Sequence, residues 1–203
     1  MSNHYHWLLE APEANLCDGM RWFQGTYAQR LSKRHGLVGH VFQGRYKALI
    51  IESDAPRYFK QVSEYIHLNP ARGGLLNESS PVLADYKWSS YPYFIGHRRT
   101  CPKWLEFSRV AEGLGLQRDD AKNRRKYNQY LEGQAFQILK TLADENEEGK
   151  DNWKSIRRGW YLGSEDFKNE LLDYLEKTLK GKRVTSLGGG ESSKPTMRNR
   201  PKT

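Results

Sequence analysis

The chain has 203 residues, enough for one ordinary domain with extensions or for two small ones. Hydrophobic residues make up 37% of it, and no stretch approaches the roughly 20 apolar residues that a membrane span needs; six Trp, twelve Tyr and seven Phe in turn exclude wholesale disorder. Thirty-three Lys and Arg against twenty-four Asp and Glu leave a net charge of +9, which points to a polyanionic partner, nucleic acid before a membrane surface.

In chain order, His4-Tyr5-His6-Trp7-Leu8-Leu9 is a short aromatic and apolar run that reads as a strand. No basic segment with a long apolar run opens the chain, so no signal peptide is visible. Cys17 and Cys101 are the only cysteines and there is no CxxC, which excludes a disulfide framework or a Cys-rich zinc site. A reducing, cytoplasmic setting is expected. After Asn15 as N-cap, Leu16, Met20, Phe23, Tyr27 and Leu31 recur at helical spacing, and Gly36 stops the helix. Val41 to Glu52 reads as a strand or strand pair with a bend near Gly44. Ser53 or Asp54 caps a helix predicted to reach about Leu68, stopped by Asn69-Pro70. From about Cys101 to Leu179 the pattern is helical. Its clearest helix starts after Ser164 as N-cap and carries Phe167, Leu171, Leu175 and Leu179 on one stripe. Asp144-Glu145-Asn146-Glu147-Glu148 reads as an exposed connection. From Gly181 to Thr203 there are six basic residues, one acid and a triple glycine, a composition expected to form a disordered basic tail.

Two constellations carry candidate chemistry. On a strand His4 and His6 point the same way, so two imidazoles stand side by side as half of a divalent metal site; packing is the other use of such a pair. In Tyr65-Ile66-His67-Leu68-Asn69-Pro70, Tyr65 and Asn69 are four apart and share a helix face. Asn69 offers a hard carbonyl oxygen suited to Mg²⁺ or Mn²⁺, and Tyr65 a phenol able to act as a covalent nucleophile. The same residues also suit a core Tyr and an Asn closing a helix before proline. His67 lies two residues beyond Tyr65, projects from a different face, and is read as structural or DNA-contacting.

These motifs together carry a resemblance. HYH after Met1-Ser2-Asn3, GHVFQGRYKALIIE from Gly39, YIHLNPARGGL from Tyr65 and WSSY from Trp88 resemble the REP-associated tyrosine transposases of the HUH single-tyrosine superfamily. The likeness is dense from about Asn3 to Gly96, and the stretch from Arg158 to Phe167 is similar to the helical extension of such proteins. The resemblance implies an α+β fold with a ferredoxin-like antiparallel sheet and packed helices. It implies cleavage and rejoining of single-stranded DNA beside hairpins through a 5′-phosphotyrosine, with a divalent ion, Mg²⁺ or Mn²⁺. It makes Tyr65 the nucleophile and His4, His6 and Asn69 the metal ligands. Three segments are expected: a partial transposase domain over 1–96, a helical region over 97–180, and the tail over 181–203. Because the family carries a strand and a helix ahead of the histidines, the sheet is expected to lack them here. A start assigned too late, a decayed gene copy or a homodimer that completes the sheet would each account for this.

The DNA surface is expected along Arg21 to Ile50, which holds no acid. There Arg21, Arg30, Lys33, Arg34, Arg45 and Lys47 are candidates for phosphate neutralisation, interleaved with Trp22, Phe23, Tyr27, Phe42 and Tyr46. Lys122, Arg124, Arg125 and Lys126 beside Tyr127 and Tyr130 suggest either a helix-turn-helix element or a solvated helix. The partner is single-stranded or hairpin DNA. The rival reading is a catalytically inactive protein that binds DNA hairpins; a non-enzymatic RNA-binding protein is a further alternative.

Overall fold

The computed structural model describes residues 3–76, 82–96, 101–115, 120–143, 156 and 159–187. It divides into two compact units, Met1–Gly163 and Ser164–Thr203. In the first lie α1 (Leu16–His35), β1 (Ile50–Ile51), α2 (Pro56–Arg72), a 3₁₀ turn (Leu83–Asp85), α3 (Tyr91–Ile95), α4 (Ser108–Gly113), α5 (Ala121–Ala143) and β2 (Tyr161–Leu162). The second contains α6 (Glu165–Leu187).

The fold is mostly helical, and this corrects the expected ferredoxin-like antiparallel sheet. Among the described residues the one sheet is a two-residue parallel pairing, Ile50 with Tyr161 and Ile51 with Leu162. Strand propensity describes a side chain's fit to a pleated surface, and without a neighbouring strand it has nothing to act on. The predicted strand His4–Leu9 has no regular secondary structure and no ladder, and of Val41–Glu52 only Ile50–Ile51 is strand. The aromatics of the first segment pack sideways instead. Trp7 meets Phe23 of α1 at a ring-centroid distance of 4.3 Å, and Tyr5 lies 6.0 Å from Phe23 and 6.1 Å from Phe42.

The helix α1 matches its predicted span. The Asn15 carbonyl accepts from the Asp18 and Gly19 amides, while its side chain turns to Glu13. Gly36 closes the C-terminus at φ 62°, where a side chain would be strained. Of the predicted stripe only Met20 is buried.

The central helix is α2. Its N-cap is Ala55, with no side-chain cap, rather than Ser53 or Asp54, and Pro56 supplies a first-turn φ already suited to a helix. Asn69-Pro70 does not stop it. Pro70 sits in the last turn, and the Asn69 and Pro70 carbonyls accept from Gly73 and Leu75 at 2.8 and 2.9 Å as the chain turns off through Gly74 at φ 61°. One side of α2 packs on α4 and α5, with the 3₁₀ turn and α3 closing the layer. The core they enclose joins Leu68, Ala71, Leu83, Tyr91 and Phe94 with Phe107, Val110, Ala111, Tyr127, Leu131 and Ala135. It therefore spans the boundary expected between residues 96 and 97. At Gly113 an added Cβ would stand 2.3 Å from the Pro56 carbonyl oxygen, so α4 and α2 touch backbone to backbone there.

Two polar groups organise this core. His67 is buried, with Nδ1 2.9 Å from the Tyr127 hydroxyl and Nε2 2.9 Å from Ser90 Oγ, and Ser63 Oγ is 3.0 Å from the same Tyr127 hydroxyl. Burial pushes the imidazole down to about 3 and raises the Tyr127 phenol. Arg124, 5% exposed, donates to the carbonyls of Tyr93, Phe94 and Gly96 at 2.7, 3.0 and 3.2 Å, capping α3. Its guanidinium is thus built into the core rather than facing solvent in the basic run expected of a helix-turn-helix element.

In the second unit Ser164 caps α6, its Oγ accepting from the Phe167 amide at 3.2 Å, with Glu165 and Asp166 in the first turn as predicted. The helix reaches Leu187, past the residue 181 at which the disordered tail was expected to begin. The rest of that tail, 188–203, and the acidic connection 144–148 lie outside the described residues.

Candidate active site

The face of α2 away from α5 is set by residues 65, 69 and 72, spaced i, i+4, i+7. Tyr65 and Asn69 are 7% and 8% exposed. Arg72 lies across both. Its guanidinium carbon is 5.1 Å from the Tyr65 ring centroid, and its Nη1 donates to Asn69 Oδ1 at 3.2 Å and to the Tyr65 carbonyl at 3.4 Å.

The segment before α1 brings the histidines to this face. The His6 ring meets the Tyr65 ring edge-on at 5.2 Å between centroids, and His4 stacks edge-on against His6 at 4.9 Å. His4 is exposed, and its Nδ1 is 2.7 Å from Asn3 Oδ1. Burial, then the His4 and Arg72 charges, pushes His6 down to about 4, so at neutral pH it carries a lone pair and no charge. Thus His4, His6, Tyr65 and Asn69 gather in one cluster through ring contacts and through Arg72, without a sheet to hold them.

The donor set suits a divalent ion in part. Imidazoles are ordinary ligands, and His6 Nε2 is buried without a hydrogen-bond partner. Asn69 contributes less freely. Its Oδ1 already accepts from Arg72, which leaves one lone pair, while its Nδ2 is buried and unpartnered. No group of three His, Cys, Asp or Glu able to hold a metal occurs among the described residues, so any site here needs the Asn69 oxygen or solvent to complete it.

Arg72 is the site residue that the reading of the motif left out. The signal was present, since position 72 falls i+3 from Asn69 and i+7 from Tyr65 on the same face. His67, in the same motif, sits on the other side in the core network described above.

The six predicted phosphate contacts are all exposed. Arg30, Lys33 and Arg34 share the C-terminal half of α1, Arg45 and Lys47 follow in the loop before β1, and Arg21 pairs with Asp18 at 2.9 Å. Trp22 stands 72% exposed beside them, and Tyr27 and Phe42 pack at 5.9 Å. None belongs to the Tyr65 cluster. No helix among the described residues is long and apolar enough to cross a membrane. Comparison with protein-family models, with curated proteins and with solved structures finds no match to this chain.

Proposed function

We propose that this chain is a tyrosine-dependent DNA strand transferase of the kind its motifs resemble, acting on single-stranded or hairpin DNA. The observation that carries this reading is the cluster of a phenol, two imidazoles, an amide and a guanidinium on one face of α2. In the reaction the Tyr65 oxygen attacks a backbone phosphorus. The Oη–P bond forms, the P–O3′ bond breaks, the phenolic proton passes to water, and the departing 3′ oxygen takes a proton from water. The products are a 5′-phosphotyrosine and a free 3′-OH, and attack by a 3′-OH reverses the step without ATP. His4 and His6, with Asn69 as third donor, would hold a divalent ion, Mg²⁺ or Mn²⁺. When bound, such an ion supplies Lewis-acid polarisation of the phosphate. His6 flanks the Tyr65 ring edge-on. The acid-free stretch from Arg21 to Ile50 supplies charge for the DNA backbone, and Trp22 a face for a base.

One observation favours a second reading, a DNA-binding protein without catalysis: Tyr65 and Asn69 are more than nine-tenths covered, so a phosphate reaches them only if the groups packed on them, Arg72 and His6 among them, shift. The two readings separate on a denaturing gel. Purified protein, Mg²⁺ or Mn²⁺ and a labelled panel of single-stranded hairpin oligonucleotides should give a covalent adduct that Tyr65→Phe abolishes while binding persists. Salt-sensitive binding with no adduct under either metal selects the second reading. An adduct that survives in Tyr65→Phe removes Tyr65 from the mechanism.

A further inference from the structure

Arg72 belongs to the cluster but takes no step in the strand-transfer scheme above, and it touches both polar members of the α2 face. Its guanidinium carbon stands 5.1 Å from the Tyr65 ring centroid, and Nη1 spans to Asn69 Oδ1 at 3.2 Å. A cation in the last turn of a helix is ordinary where it does no more than offset the helix dipole. Here the side chain folds back along the helix instead, over a residue seven positions earlier, and its nitrogen reaches the Tyr65 carbonyl at 3.4 Å. The result is a positive charge fixed beside the phenol, in a half-buried setting where charges are screened less than in water. A guanidinium keeps its proton at any working pH and presents planar donors that match two oxygens of a phosphate.

We propose that Arg72 is a phosphate-contacting residue of this site, donating to a non-bridging oxygen of the phosphodiester that the Tyr65 oxygen attacks. The inference rests on the strand-transfer reading. As the phosphorus becomes five-coordinate, negative charge builds on the non-bridging oxygens, and a guanidinium donor within reach of them stabilises that state more than the ground state. The contact with Asn69 holds the guanidinium in register before DNA arrives.

The test uses full-length protein and an oligonucleotide that the wild type attacks, with its scissile phosphate either natural or replaced by an uncharged methylphosphonate. Arg72→Ala should slow adduct formation at saturating DNA by about 100-fold, the usual effect of losing one such donor, with binding nearly unchanged. Arg72→Gln, which keeps an amide donor toward Asn69, should be similarly slow, and Arg72→Lys should lie between. On the methylphosphonate, which develops less negative charge, both neutral variants should recover most of the lost rate relative to wild type. A residue that merely props up the fold would not respond to the charge of the substrate. If the variants react at the wild-type rate, or if the uncharged phosphate fails to rescue them, Arg72 contacts no phosphate and the Tyr65 assignment stands. If wild-type protein forms no adduct with any oligonucleotide of the panel, the strand-transfer reading falls, and the Arg72 contact falls with it.

Discussion

Lowering the pH from 7 to 4.5 should destabilise this protein, and His67 should carry the largest single-imidazole share of the loss. In the folded chain the imidazole is sealed between Tyr127 and Ser90, and burial pushes it from 6.5 down to about 3. Below 6.5 the unfolded chain therefore binds a proton that the folded chain refuses. Stability from this group is complete above pH 6.5 and drains away as the pH falls toward 3. Each pH unit in that window costs somewhat more than about 1 kcal/mol, so the step from 7 to 4.5 removes roughly 2–3 kcal/mol. The measurement is urea unfolding of wild type and His67→Gln at both pH values. The glutamine does not titrate, so the difference between the two pH responses isolates His67 from His6 and from the carboxylates. With a urea slope of about 2 kcal/mol per molar, the wild-type midpoint should fall by roughly 1 M more than that of the variant. Parallel responses in the two proteins would show that the imidazole is reached by water in the folded state and is not sealed in the core.

Other substitutions probe the frame and the DNA surface. Arg124→Ala leaves three carbonyls at the end of α3 without their donor and should cost about 3–5 kcal/mol, seen as a lower thermal midpoint; a change under about 1 kcal/mol would mean that water replaces the guanidinium. Gly113→Ala forces a methyl to within 2.3 Å of the Pro56 carbonyl, and α4 must move off α2 at a cost of about 1–3 kcal/mol in urea unfolding. Trp22→Ala, at a position 72% exposed, should leave stability within about 0.5 kcal/mol of wild type. The same change should weaken single-stranded DNA binding by about 1–3 kcal/mol in fluorescence anisotropy; an unchanged affinity would take the Trp22 face out of the DNA surface.

Local signals in the sequence were legible where one residue decides the outcome. Gly36 as the left-handed end of α1 and Ser164 as the cap of α6 both follow from short-range chemistry, and both stand in the structure. Strands were not legible, because a strand is defined by its neighbour: Ile50–Ile51 pairs with residues more than a hundred positions later, and His4–Leu9 pairs with none among the described residues. Pro70 misled in the opposite direction. The loss of one hydrogen bond near the end of a helix is tolerated when Leu68 and Ala71 on either side are buried in the core. At the site, the shared face of Tyr65 and Asn69 was readable from helical spacing, as Arg72 would have been. The approach of His6 to Tyr65 was not, since it depends on an aromatic packing between Trp7, Tyr5 and α1 that no periodicity encodes.

That packing has a consequence for how the cluster assembles. Among the described residues no backbone hydrogen bond ties His4–Leu9 to another element; ring contacts and one side-chain bond, from Gln24 Nε2 of α1 to the Tyr5 hydroxyl at 3.0 Å, hold it down. Tyr65 and Asn69, by contrast, ride on a helix locked into the core. One half of the cluster is thus as durable as the protein itself, while the half bearing the imidazoles can peel away without unravelling anything else, and amide protons there should exchange with solvent long before those of α2.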